Sequence, residues 1–343
     1  MSEIRSETFT SPRGPIHYLS TGPTDGPLLI FIHGWPEGAM IWKHQIQHFG
    51  SLGYWCVSPD MAGYGKSLAP RGNWADYALE EISKDNLALL SHLGRDQAVW
   101  IGHDWGAGAV SAYVSHHPET CQAMCLMSIP YLSATKGFDA IVQTVDRQRY
   151  PEAEYPYGQW AYMAHYMKHG EEEVQLFDRN RNGLKFLSLG FMPGGPESLE
   201  RPSLSSKESG WLGGKDLPDI PTAKSTGFLD QDVYDSLVEG YEKNGWYGPI
   251  AWYMNHEKNR EYSEKNVPNG GELRQPVLYF EGKWDAVCSR NVSNELFEEP
   301  MRRLCKDLTY IEVETGHFVA QEKPKEVNDG IETWLKEKKI VPQ

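Results

Sequence analysis

The chain has 343 residues, 40% hydrophobic and 23% charged, which suits a globular protein with one large core and an inserted subdomain, or with two domains. Its formal net charge of −14 argues against nucleic acid or an anionic membrane as the main partner, because both require a basic surface. Five scattered cysteines, Cys56, Cys121, Cys125, Cys288 and Cys305, show no Cys-x-x-Cys spacing, so zinc and thioredoxin-type readings lack support and a reducing compartment is expected.

The opening residues lack the charged-then-apolar build of a signal peptide, and Val341-Pro342-Gln343 matches no address tripeptide. No apolar run approaches the ~20 residues a spanning helix needs. A cytoplasmic protein without a membrane span is therefore expected.

A strand pair is predicted within residues 1–26, closed by turns at Gly14-Pro15 and Gly22-Pro23. Leu28-Leu29-Ile30-Phe31-Ile32 is a continuous apolar run suited to a central strand, and it leads into His33-Gly34-Trp35-Pro36. Trp42, Ile46 and Phe49 recur at i, i+4 and i+7 and predict a helix, with a strand next at 54–58. Gly65-Lys66-Ser67 imitates the end of a phosphate-binding loop, but the glycine required five residues earlier is Asp60, so a turn is the better reading. Asp76 is expected to cap a helix that carries Glu80 and Glu81 in its first turn.

Residues 98–101 predict a buried strand, followed by Gly102-His103-Asp104-Trp105-Gly106 and a small-residue helix that ends near His117-Pro118. Another buried strand is predicted at 123–129. The strand–helix alternation up to this point implies a mostly parallel sheet covered on both faces. The rhythm changes at about residue 131. Helical pieces are predicted near 157–168, 172–187, 230–243 and 248–261, with Glu171-Glu172-Glu173 as a solvated helix start. Residues 194–222 are polar and rich in proline and glycine, and read as a long surface excursion. Strands then return at 276–280 and 308–313. Between them a helix carrying Val292 and Leu296 is expected to stop at Pro300, and a last helix buries Val327, Ile331, Trp334 and Leu335. The expected division is a core over 1–132, an inserted helical lid over 133–265, and the rest of the core over 266–343.

Strand, glycine-flanked turn, helix is the setting of a nucleophile elbow, and Asp104 stands where such elbows usually carry serine. A carboxylate there suits attack on an sp³ carbon to give an ester, rather than acyl transfer. Alone, an aspartate at a strand end is equally a turn or cap residue. Asp285 alone would read as a helix cap, and His317 as a surface-loop histidine. All three follow predicted strands, where an α/β sheet places its functional loops, and that joint placement argues against coincidence.

On these residues the chain resembles the soluble epoxide hydrolases of the α/β-hydrolase fold, from about residue 8 to the C-terminus. The resemblance rests on His33-Gly34-Trp35-Pro36, Asp60 through Ser67, Gly102-His103-Asp104-Trp105-Gly106, and Gly316-His317-Phe318 followed by Lys323-Pro324. Nucleophile, acid, histidine is also the chain order of that fold. Tyr162 precedes a run in which Tyr166, Met167 and His169 replace the family's Phe, Gln and Pro. Gly245-Trp246-Tyr247-Gly248-Pro249, leading to Trp252-Tyr253, matches a second lid motif more closely.

The resemblance implies an epoxide hydrolase that makes vicinal diols through an alkyl ester on Asp104, hydrolysed by water that His317 activates with Asp285 behind it. It makes Tyr162 and Tyr253 the paired lid phenols and the backbone N–H groups of Trp35 and Trp105 the oxyanion donors. It implies no metal or organic cofactor, with only an epoxide and water as partners; the oligomeric state stays open. Phenols suit the task because a group with a pKa near ~10 stays a neutral donor at pH 7. For the tyrosines the plainer reading is lid packing, and for Trp35 and Trp105 it is pocket wall. The Trp35-Pro36 bond is expected to be cis. Two alternatives remain: a haloalkane or haloacid dehalogenase, which shares the aspartate and histidine but must hold a halide, and a non-catalytic binding protein on the same fold.

Overall fold

The apolar runs at 28–32 and 98–103 become central strands because neither has a face that must stay wet; every residue in both is buried. The computed structural model describes residues 2–206, 209–225 and 227–342. Met1, Lys207, Glu208, Thr226 and Gln343 lie outside it, including two positions of the 194–222 excursion and the last of the C-terminal tripeptide.

In chain order the first elements are β1 (Arg5–Ser11), β2 (Gly14–Thr21), β3 (Leu28–Ile32), α1 (Lys43–Ser51), β4 (Trp55–Pro59) and α2 (Leu79–His92). Then come β5 (Ala98–His103), α3 (Trp105–His116) and β6 (Cys121–Met127). A helical stretch follows, with α4 (Phe138–Val142), α5 (Ala161–Asp178), α6 (Asn182–Gly190), α7 (Gln231–Asn244), α8 (Tyr247–Ala251) and α9 (His256–Glu264). The chain ends with β7 (Leu273–Gly282), α10 (Glu299–Leu304), β8 (Cys305–Val313), α11 (Val319–Glu322) and α12 (Pro324–Glu337).

Among the described residues, eight strands form one sheet in the order β1-β2-β4-β3-β5-β6-β7-β8. β2 runs antiparallel to both of its neighbours, and every pairing from β4 to β8 is parallel. Parallel pairing points the strands from β3 to β8 the same way, so the loops that follow them gather at one edge of the sheet. The α/β architecture expected from the sequence is what forms. Val327, Ile331, Trp334 and Leu335 are all buried under α12. No helix among the described residues is long and apolar enough to cross a membrane.

The segment between β6 and β7 is tied to this core by polar contacts as well as apolar ones. The Trp252 indole N–H donates to the Ala62 carbonyl at 3.1 Å, and the Asn244 side chain donates to the Gly65 carbonyl at 2.8 Å. The 61–67 turn that imitates a phosphate loop is thus a docking point for these helices, and no helix follows it directly.

Several local expectations are corrected. Asp76 caps no long helix. It lies in a short 3₁₀ turn whose own cap is Asn73, and α2 begins at Leu79 without a side-chain cap. The 172–187 helix is divided, because Asn180 and Arg181 take left-handed φ values of 51° and 57° between α5 and α6. Glu173 is not solvated: the non-helical backbone at His169 turns α5 so that Glu173 is buried and accepts from His165 at 2.8 Å. Pro300 starts α10 rather than stopping a helix, since a missing N–H is harmless in a first turn. The 194–222 excursion also does more than cross the surface: its Trp211 and Leu217 help close a cavity.

Candidate active site

Three strand ends build the site. Asp104 follows β5, Asp285 follows β7 and His317 follows β8. The turn after β5 is tight because its glycines allow backbone to meet backbone: a Cβ on Gly106 would stand 2.2 Å from the Ile32 carbonyl oxygen. Asp104 itself is held at φ 50°, ψ −125°, a conformation that costs about 1–3 kcal/mol for a non-glycine residue. The strain lifts the carboxylate out of the sheet, to the foot of a cavity of about 560 Å³.

Within that cavity wall the polar groups are in register. The Trp35 backbone N–H donates to Asp104 Oδ1 at 2.7 Å. His317 Nε2 stands 3.3 Å from Asp104 Oδ2, and its Nδ1–H donates to Asp285 Oδ2 at 2.7 Å. Asp285 Oδ1 accepts from the backbone N–H groups of Val287 and Cys288, each at 2.9 Å. The second carboxylate is therefore fixed by both of its oxygens.

The charges follow from the geometry. Burial alone would push the Asp104 carboxyl up; the His317 hydrogen bond and charge, with His103 and the Trp35 N–H, hold it below the ordinary range. Asp285 is depressed against the same burial by the His317 charge and hydrogen bond and by the N–H groups of Cys288 and Val287. Burial would lower the His317 imidazole, but the Asp285 charge and the hydrogen bonds to Asp104 and Asp285 raise it well above its usual value. The resting site is two carboxylates bridged by an imidazolium.

Tyr162 and Tyr253 line the same cavity from the helical segment, with ring centroids 5.6 Å apart in an edge-on arrangement. Both phenols are raised well above their usual value, first by burial. Asp104 then adds to both, alongside Cys288 at Tyr162 and Tyr162 at Tyr253. Both therefore stay protonated donors facing a carboxylate. The Trp35–Pro36 peptide is cis. Trp105 opens α3 directly after Asp104, and its indole meets the Tyr253 ring edge-on at 5.3 Å. The seven residues singled out in the sequence thus fall in one place.

The sequence reading missed the supports. His103 is wholly buried; one ring nitrogen faces Glu37 Oε1 at 3.0 Å and the other faces the His317 carbonyl at 2.8 Å. Glu37 in turn accepts from the Gly34 N–H at 2.7 Å. Burial would lower His103, but the Glu37 charge and hydrogen bond raise it. Both ring nitrogens face acceptors, which a doubly protonated ring satisfies. This chain of contacts ties the Trp35 loop to the His317 loop; His103 stands inside the quoted elbow motif, and Glu37 directly follows His33-Gly34-Trp35-Pro36. The apolar walls, Phe186, Phe191, Trp211 and Trp284 among them, carried no sequence signal because packing residues have no fixed spacing.

The match to known proteins agrees with this geometry. Residues 27–324 fit the model of the alpha/beta hydrolase fold family. The chain is 26% identical to epoxide hydrolase A of Mycobacterium tuberculosis over 93% of its length and 94% of that protein's. It is 26% identical to bifunctional epoxide hydrolase 2 of Rattus norvegicus, where it spans 53% of the longer protein. Among solved structures it is similar to a Vigna radiata epoxide hydrolase mutant, with a TM-score of 0.75 and 29% identity over 98% of this chain and 99% of that one.

The imidazolium is sustained partly by Asp104. In Asp104→Asn the His317 ring, followed by NMR of labelled histidine, is expected to titrate at a lower pH than in the wild type. An unchanged titration would mean that Asp285 alone sets the His317 charge.

Proposed function

The chain belongs to the alpha/beta hydrolase fold family, and on that premise we propose that it is an epoxide hydrolase, turning epoxides into vicinal diols through an ester on Asp104. The observation that carries the reading is the pair of protonated phenols, Tyr162 and Tyr253, in one cavity with an ionised aspartate. An epoxide needs both at once: a nucleophile at carbon and a proton donor at oxygen. The names of the relatives support the same reaction class.

In the proposed reaction Asp104 Oδ2 attacks an epoxide carbon, the C–O bond breaks, and a phenol gives its proton to the departing oxygen. Oδ1, already held by the Trp35 N–H, becomes the ester carbonyl. Forming the ester removes a negative charge beside His317, so its imidazolium gives up a proton more readily; that proton restores the phenol, and the neutral imidazole becomes a competent base. His317, oriented by Asp285, then takes a proton from water, which attacks the Asp104 carbonyl carbon; such base help is worth roughly 10²–10⁴-fold. The tetrahedral oxyanion falls to the Trp35 and Trp105 N–H groups, and one such donor is worth roughly 10²–10³-fold; on its collapse the bond from the Asp104 carboxyl carbon to the substrate oxygen breaks, the carboxyl proton passes to that oxygen, and the diol leaves Asp104 ionised.

The cavity's walls favour an apolar aryl or alkyl epoxide, and Leu189, Met192 and Leu204 carry that surface to the exposed rim. The same proposal divides the chain into a core (1–132 and 266–343) and an inserted lid (133–265), on the ground that the six helices α4–α9 fall within the second span. It places the protein in a reducing compartment such as the cytoplasm, since all five cysteines are free and buried.

A dehalogenase has one observation behind it: the indole N–H groups of Trp35 and Trp211, both on cavity-lining residues, have no partner, and such donors hold halides. Product analysis separates the two. Offered epoxides and haloalkanes in parallel, the protein is expected to release diol and no halide; halide without diol would make it a dehalogenase. Replacing Tyr162 and Tyr253 together with phenylalanine is expected to lower ester formation at least 100-fold in a rapid-quench assay, while unchanged ester formation would return both rings to packing.

A further inference from the structure

Cys288 stands three residues past Asp285 and is buried in the cavity wall. Its Sγ, a carboxylate oxygen of Asp285 and a ring nitrogen of His317 all lie within 4.8 Å of one another. We propose that Asp285, Cys288 and His317 form a binding site for a thiophilic divalent cation such as Zn²⁺, and that its occupancy switches the hydrolytic site off. This goes beyond the hydrolase reading, since cation binding here does not require that the chain act on epoxides.

The donor set is one zinc favours: a sulfur, an imidazole nitrogen and a carboxylate oxygen, with the cavity open for a water in fourth place. Zinc–ligand distances of about 2.0–2.3 Å put tetrahedral ligand atoms roughly 3.3–3.8 Å apart, so small side-chain movements suffice. Asp285 is already oriented by the Val287 and Cys288 N–H groups, the kind of outer contact that holds a ligating carboxylate in place. On binding the cation the Cys288 thiol loses its proton, as a coordinating thiol does. The bound cation occupies Asp285 and a lone pair of His317, the two groups needed to activate water. Among the described residues no other set of three such side chains gathers, and Cys56, Cys121, Cys125 and Cys305 are buried in strands.

Cobalt substitution tests the site without reference to activity. Co²⁺ added to the wild-type chain is expected to give a thiolate-to-cobalt charge-transfer band that saturates at one equivalent and is displaced by zinc. Cys288→Ala and Cys288→Val, checked for folding by circular dichroism, are expected to lack the band. Its absence from the wild type, or its persistence in a folded variant, would overturn the proposal. In hydrolysis assays zinc is expected to inhibit the wild type reversibly on chelation, with Cys288→Ala requiring at least 10-fold more. Equal sensitivity would overturn the switching role. Should no epoxide be turned over at all, the cobalt result still stands or falls alone.

Discussion

The site depends on one buried charge arrangement: an imidazolium between two carboxylates. Asp104 and Asp285 are both buried, and His317 is the strongest influence that holds each carboxyl below its ordinary range against that burial. Conversely His317 would lose its proton to burial without them. Removing one partner of such a buried pair typically costs about 3–5 kcal/mol, so the three side chains stand or fall together. In the proposed reaction the same dependence lets the site change state, since neutralising Asp104 as an ester withdraws part of the support for the imidazolium at the step where a neutral imidazole is needed.

The fold supplies this arrangement from residues far apart in the chain. Parallel pairing of β5, β6, β7 and β8 brings the loops after β5, β7 and β8 to one sheet edge. Loops alone would place the three groups too loosely. The loop bearing His317 is pinned where its carbonyl accepts from both His103 and Ser128, each at 2.8 Å. Glu37 extends that brace to the Trp35 loop through the Gly34 N–H. The donor at Asp104 Oδ1 and the base at Asp104 Oδ2 are thus set by one connected body of hydrogen bonds, while the phenols come from helices that close over the top.

The sheet was legible from the sequence, because fully buried strands leave apolar runs that survive any change of surface. The elbow was legible because Gly102 and Gly106 flank a tight turn, and Asp285 and His317 because each follows a strand in the order the fold requires. The helical segment was less so. Left-handed residues at Asn180 and Arg181 carry no apolar signature, and the burial of Glu173 depends on a partner, His165, eight residues earlier across a break at His169. Pro300 was read as an end and proved a beginning, since proline punctuates either side of a helix. The absence of Cys-x-x-Cys spacing pointed away from metals, yet the fold sets Cys288 beside an acid and a histidine that spacing could not join.

The proposed reaction turns on a covalent bond between Asp104 and the substrate carbon. One turnover in ¹⁸O-enriched water, with enzyme in excess over epoxide, probes that bond by mass spectrometry of the diol and of the peptide carrying Asp104. An unlabelled diol is expected, since its new oxygen comes from the carboxylate, with ¹⁸O retained in Asp104. A labelled diol with an unlabelled Asp104 would mean that water attacks the epoxide itself and that no ester forms.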